Sequence, residues 1–362
     1  MTIGFQNIPS TIRAPFSYIE FDGSRAQQGP SIQPYLALGV GLKTSGTGTV
    51  ASLVPTSVTS DTDAATYWGA GSMMHEMARA WFATNRFTPL TMVSVDDVGA
   101  QAIHNVVVGG PSTASGTIAL YIAGHRVQVA VASGAAAIAT ATAIVAAVNA
   151  DTSIPVVAAN GGGAPTATVA LTAKQKGVAG TDIDVRHSYY SGEALPAGIT
   201  LAITNPAPGS GAPNLVGLLT AIGETPYNIW VVGFNDLAST AVLTAELASR
   251  WGPMRMMDGV IFQGYRDTLV NTVARGVALN SPYLTVLGIN RSPTWTPAIA
   301  ASYAARASLS ATNDPARPMQ TLELDDVKAP IVSDRFPLSE RQQLLMSGIA
   351  TYSVQQDGSV VI

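Results

Sequence analysis

Apolar residues recur along this chain with two different periods, and the switch between them divides it. Residues 35–40 are a short apolar run ending in glycines, which predicts a strand. Ser60 with Asp63 three positions on has capping-box form and predicts a helix running through Trp68. Met74, Met77, Ala78, Trp81 and Phe82 fall on one face at helical spacing, predicting a second helix over 71–85, and 90–95 reads as a strand. Beyond residue 214 the alternation resumes, with strands at 228–234, 259–264 and 283–289 and helices at 239–251, 267–279 and 297–310. Strands and helices alternating through short connections imply an α/β core with a mostly parallel sheet covered by helices. Residues 338–347 predict another helix, and 350–362 a hairpin turning at Asp357-Gly358.

A different texture interrupts this core between about His104 and Asn214, rich in Gly, Ala, Thr and Val, with apolar residues at every second position. Residues 117–131 predict a hairpin. With Gly124-His125 as its turn, Ile122 faces Val127, Leu120 faces Val129 and Ile118 faces Val131. An Ala-rich helix over 135–149 and strands at 167–173 and 182–188 complete a β-rich inserted module with one helix. Gly161-Gly162-Gly163 and residues 206–213 read as its loops. Such a module is expected on the outer surface and is expected to be dispensable for the core fold. At the other extreme, Phe5, Ile8, Ile12, Phe16, Tyr18 and Ile19 are apolar, while Pro9 and Pro15 preclude a regular helix. An extended apolar segment of this kind needs a surface to lie on, either a partner's or that of its own domain. The expected organisation is an arm over 1–22, the first part of the core over 23–103, the module over 104–214 and the second part of the core over 215–362.

Composition narrows the function. Only 12% of the 362 residues are charged, against roughly 25% in an ordinary globular protein, and the mean hydropathy is +0.26. Such a chain either enters a membrane or has its surface covered by neighbours. Residues 127–150 carry no charge and are long enough to span a bilayer, but they are mostly Ala, Thr and Ser and are split by Gly134. That is a weak segment by insertion scales, so no direct membrane insertion is expected. A net charge of −4 without a Lys/Arg cluster argues against nucleic acid as a partner. The absence of cysteine excludes disulfides and thiolate metal sites. The N-terminus, MTIGFQNIPSTIR, lacks the basic start and apolar run of a signal peptide, which predicts synthesis and use in the cytoplasm.

Catalytic patterns fail one by one. His75-Glu76 opens like a zinc-protease helix, but Arg79 stands where the second His ligand belongs, leaving an exposed helix histidine as the expectation. His104, His125 and His187 have no metal-ligand partner near them in sequence. Gly39-Val40-Gly41 lacks the third glycine of a dinucleotide loop, which would be at Thr44, and the Gly-Lys of a phosphate loop, so a tight turn is expected. No Gly-x-Ser-x-Gly elbow occurs. Asp96-Asp97 and Asp325-Asp326 are expected as solvated turn residues. No catalytic, cofactor-binding or metal-binding residue is expected, and no cofactor.

The chain resembles contractile-tail sheath proteins, most closely those of Mu-like myophages. The likeness lies in residues 15–22 leading into Ser24-Arg25-Ala26 and in Gly69-Ala70-Gly71-Ser72-Met73-Met74-His75. It continues in the hairpin from Gly116 with its Ala-rich helix, and in an ordered run near the end. That run comprises Pro315-Ala316-Arg317-Pro318, Pro330, Asp334-Arg335-Phe336, Glu340-Arg341, Leu344-Leu345, Gly348-Ile349 and Asp357-Gly358. The resemblance implies a virion tail component that is assembled in the host cytoplasm and is not an enzyme. Its partners would be identical subunits, stacked as rings into a helical tube, together with an inner tail tube and a baseplate. It also implies arms that add strands to neighbours' sheets, with the six apolar residues named above as the arm contacts, and a contraction driven by improved packing between subunits. Even about 1–2 kcal/mol per subunit, the range of one good interface residue, sums to a large total along a tail. Sheath proteins of this type continue past the Asp-Gly hairpin into a tube-facing domain, and the sequence ends at Ile362, so that domain is expected to be missing. Two other classes stand as alternatives: a surface-layer or adhesin-type protein, favoured by Ala/Thr/Gly richness, and an α/β enzyme with a β-rich lid.

Overall fold

A computed structural model describes residues 35–44, 46–161 and 164–362. The arm expected over 1–22 lies outside the described residues.

The core begins with β1 (Ala37–Leu42), β2 (Thr56–Val58), α1 (Asp61–Trp68), α2 (Met73–Thr84) and β3 (Leu90–Val95). The segment expected as an inserted module contains β4 (Gln101–Gly109), β5 (Gly116–Ile122), β6 (His125–Val131), α3 (Ala137–Ala150), β7 (Val156–Ala159), β8 (Thr168–Lys176), a 3-10 turn (Val178–Asp182), β9 (Val185–His187) and β10 (Thr200–Ala207), and it is one compact unit with the rest of residues 35–362. The core then resumes with α4 (Leu218–Ile222), β11 (Ile229–Val232), α5 (Leu237–Trp251), β12 (Val260–Arg266), α6 (Leu269–Leu279), β13 (Leu284–Ile289) and α7 (Thr296–Asn313). The last elements are α8 (Leu338–Met346) and the small hairpin β14 (Ser353–Val354) and β15 (Val360–Val361).

Six strands form one sheet in the order β13-β12-β11-β1-β3-β2. Every pairing in it is parallel except β2 with β3. The α/β architecture with a mostly parallel sheet is therefore as the periodicity predicts. β1 is buried along its whole length, as a strand covered on both faces must be. Local signals set the helix starts. Ser60 Oγ accepts from the Asp63 amide at 3.1 Å, Ser72 Oγ from His75 at 3.1 Å, and Asp236 Oδ1 from Ser239 at 2.8 Å. This last cap starts α5 at Leu237, two residues before the expected position.

α2 is buried nearly all round, not along one stripe, because it lies between the sheet and α7. α7 is Ala-rich, and its small side chains let the two helices approach closely. Trp68, Trp81, Trp230 and Trp295 are all fully buried here or in the adjoining core, each such side chain contributing on the order of 1.5–3 kcal/mol.

Two expectations need correction. Gly39 and Gly41 lie inside β1 and not in a turn after it. A Cβ on Gly41 would meet Met74 Sδ at 2.9 Å and Met77 Sδ at 3.0 Å, so the glycine makes room for methionines of α2 on the strand. The β5–β6 hairpin turns at Ala123-Gly124, both with positive φ, and not at Gly124-His125. Ile122 therefore faces His125, Leu120 faces Val127 and Ile118 faces Val129. A slip of two residues keeps every apolar side chain on the same face, so alternation alone could not separate the registers. The alternation also left β2, β4, β7 and β10 unmarked, and His104, where the texture changes, falls within β4.

Candidate functional site

In an open α/β sheet, ligands bind beyond the carboxyl ends of the strands. Here that crevice is occupied by the chain itself. The 3-10 turn after β8 passes over the ends of β1, β11 and β12. Its Asp182 Oδ2 accepts from Asn235 Nδ2 and Thr296 Oγ1, both at 3.3 Å. Arg266, closing β12, donates to Asp182 O at 2.6 Å and to Ser292 O at 3.1 Å, and pairs with Asp184 at 3.0 Å. Burial pushes the Asp182 carboxyl above its ordinary range, and Arg266 pulls the other way. Trp295, entirely buried at the start of α7, donates its indole N–H to Ala179 O at 3.0 Å. What remains is a cavity of about 10 Å³ lined by residues such as Leu42, Val178, Phe234 and Asn235, room for about one water.

A second cluster joins the β5–β6 hairpin tip to α2. The Glu76 side chain is fully buried; Oε1 lies 3.0 Å from His125 Nε2, and Oε2 accepts from Arg79 at 2.9 Å. Arg79 continues to Asp326 at 2.7 Å, so four groups from three segments form one chain. Burial alone would raise the Glu76 pKa; His125 and Arg79 overcome it and hold the carboxyl down to about 2. Burial likewise opposes the Arg79 charge, but Glu76 and Asp326 raise its pKa above the ordinary guanidinium value. One turn earlier, Lys174 of β8 donates to Ala70 O at 3.0 Å and Thr152 O at 2.7 Å. The Gly69-Ala70-Gly71-Ser72 motif fits this arrangement. Gly71 has φ +72, and a Cβ there would meet Ile154 O and Lys174 Nζ, each at 2.5 Å.

A third contact uses tyrosines. Tyr121 donates to Glu193 at 2.7 Å, Arg126 pairs with the same carboxylate at 2.8 Å, and Tyr189 donates to Ala329 O at 2.6 Å. Where the module leaves and rejoins the core, Ala100 and Ser210 exchange backbone hydrogen bonds of 3.0 and 3.2 Å. The module is thus pinned through buried polar groups. Removing it would take His125 from Glu76, Asp182 and Asp184 from Arg266, and the Ala179 acceptor from the Trp295 indole, which weighs against its expected dispensability.

The histidines are structural in placement. His75, expected on an exposed face, is buried, and its Nδ1 accepts from the Gly71 amide at 3.0 Å. Burial lowers its pKa, as it does for His104, whose Nε2 lies 3.2 Å from Gly180 O. The aspartate pairs are not simply solvated. Asp96 accepts from Ser52, Asp97 from the Lys176 amide at 2.9 Å, and Asp325 from Arg306 at 2.7 Å. Among the described residues, no group of three or more His, Asp or Glu could hold a metal ion, and no helix is long and apolar enough to cross a membrane. Phe5, Ile8, Ile12, Phe16, Tyr18 and Ile19 lie outside the described residues.

At the opposite, amino ends of the strands lies an apolar groove of about 500 Å³, lined by Tyr35, Ile229, Trp251, Val260, Tyr283 and Met319 among others. Trp251 is 61% exposed, and nearby in the sequence Met254 is 93% and Met256 80% exposed. No periodicity in the sequence points to them, since Trp251 ends α5 and the two methionines follow it outside any regular element.

The model of the phage tail sheath protein central domain matches residues 208–362. The chain is 36% identical over 356 residues to the Mu-like prophage FluMu tail sheath protein of Haemophilus influenzae, covering 98% of this chain and 72% of that protein. Among solved structures it is similar to the sheath tail protein of Desulfitobacterium hafniense, with TM-score 0.43 and 14% identity over 96% of this chain and 73% of the other. It is also similar to the sheath tail protein of Listeria innocua, with TM-score 0.43 and 11% identity over 90% and 67%.

Proposed function

This chain belongs to the phage tail sheath family, structural components of the virion tail that assemble with their own copies, and we infer that it stacks as rings into a helical tube that contracts. In this reading the tube surrounds an inner tail tube, is anchored on a baseplate, and on shortening drives the inner tube through a target envelope. The subunits are made and assembled in the host cytoplasm. The observation that carries the reading is the near full-length match to a tail sheath protein at 36% identity. Low charge together with the exposed Trp251, Met254 and Met256 supports a surface that neighbours cover. The polar pins between module and core support movement as a rigid body, with the compliance lying in connections between subunits.

The self-filled crevice at the strand ends supports a non-enzymatic role, the work coming from a packing difference between two lattices. Neighbours are held by arms that add strands to one another's sheets, and Phe5, Ile8, Ile12, Phe16, Tyr18 and Ile19 are the arm contacts. Electron microscopy of the concentrated protein should show rings or tubes; a monodisperse monomer at every concentration would overturn the reading. Removing the residues before Phe21 should leave a protein that melts cooperatively but does not polymerise. Normal polymerisation would remove the arm from the account.

A further inference from the structure

Strand addition needs a receiving edge, and the edges of the three larger sheets differ in how well they are guarded. β13 is partly covered, since Gly288 and Ala350 are linked at 2.9 Å and Ala350 donates to Val286 at 2.9 Å. β2 and β9 have three residues and β7 has four. β6 presents His125 and Arg126, both in ion pairs. β10 is different: among the described residues it is an edge strand of eight residues paired only with β4, and its side chains are exposed or half-exposed throughout. Residues 194–223, which contain it, carry no charge at all. Charged side chains are a common guard against edge-to-edge pairing, and here they are missing.

The register shows which backbone groups are free. The Val108 amide donates to Ala167 O at 2.8 Å, on the β8 side of β4. Val108 faces Leu201 and Val106 faces Ile203, so these are the non-hydrogen-bonded pairs of the β4–β10 ladder. The N–H and C=O of Leu201 and Ile203 therefore point away from β4. Among the described residues, no backbone hydrogen bond reaches them from another element. The irregularity between Thr204 and Ala207 ends the usable edge, leaving residues 200–204.

We propose that the free edge of β10 receives an extended, uncharged segment of a neighbouring copy as a fifth strand, held by the backbone of Leu201 and Ile203. This rests on the strand-exchange reading above and names its acceptor. Amide hydrogen exchange on the intact chain, dispersed and assembled, tests it: the peptide covering 200–204 should exchange about tenfold more slowly in the assembly, the effect of closing a hydrogen-bonded ladder. A paired comparison separates strand addition from mere burial. Ile203→Ala and Ile203→Pro both lose the side chain, but only the proline loses the outward N–H, a substitution that edges tolerate. With both variants melting cooperatively, Ile203→Pro should pellet as assembly about tenfold less than Ile203→Ala, in line with one lost hydrogen bond. Equal pelleting, or equal exchange of 200–204 in tubes and monomers, overturns the β10 assignment while leaving strand exchange elsewhere intact. A chain that never assembles overturns both.

Discussion

Glu76 shows how much one residue can depend on its surroundings. A carboxylate at complete burial persists only because His125 and Arg79 reach it. Its folded pKa, about 2, lies below the ordinary 4.5, so its contribution is complete above about pH 4.5 and is lost as pH falls toward 2. His75 and His104, lowered by burial from 6.5, act in the same direction from a higher starting pH, whereas Asp182, raised by burial, acts oppositely. Glu76→Gln should cost on the order of 3 kcal/mol at neutral pH by leaving Arg79 buried with half its partners. It should also flatten the acid limb between pH 4.5 and 2, and urea unfolding at pH 7 and pH 3 for both proteins reads both effects. None of this could be read from the sequence. His75-Glu76 drew attention as half a zinc motif, while the real partner, His125, is 49 positions away and arrives through a hairpin whose register alternation could not settle.

Elements were more legible than their connections. Helix starts carry their own signals in Ser60, Ser72 and Asp236, because a cap is a local bond between neighbours in sequence. β4 and β10 escaped notice because pairing, not local pattern, makes them strands: β10 is open to solvent and broken at Pro206, yet lies along β4 with a defined register. The module that they anchor enters and leaves the core through one pair, Ala100 and Ser210. Joining those two residues by a short linker would remove His125 from Glu76, Asp182 and Asp184 from Arg266, and Ala179 from the Trp295 indole together. The spliced core should lack a cooperative thermal transition in calorimetry. A core that melts as sharply as the whole chain would show the pins to be superfluous.

For the whole molecule, the two ends of the parallel sheet have opposite characters. The carboxyl ends are filled by Trp295, Asp182 and Arg266, whereas the amino ends open into an apolar groove lined in part by exposed Trp251, with Met254 and Met256 exposed a few residues further along the chain. That asymmetry suits a subunit whose chemistry is contact. Met254→Lys with Trp251→Glu should leave the melting temperature within about 2 °C, as exposed substitutions do. The same pair should reduce pelleting of assembled protein severalfold. Undiminished assembly by this variant would move the contact to another face.

The sequence by itself determined the class of fold and the family, because periodicity, caps and glycine positions act over a few residues and remain visible in the linear order. Low charge also signalled a covered surface, since every residue adds to composition wherever it lies. Only the tertiary structure decided that the crevice is closed, that Glu76 is charged in the interior and that β10 has a bare edge. Each of these depends on which groups far apart in sequence meet, and on how well they shield one another from water.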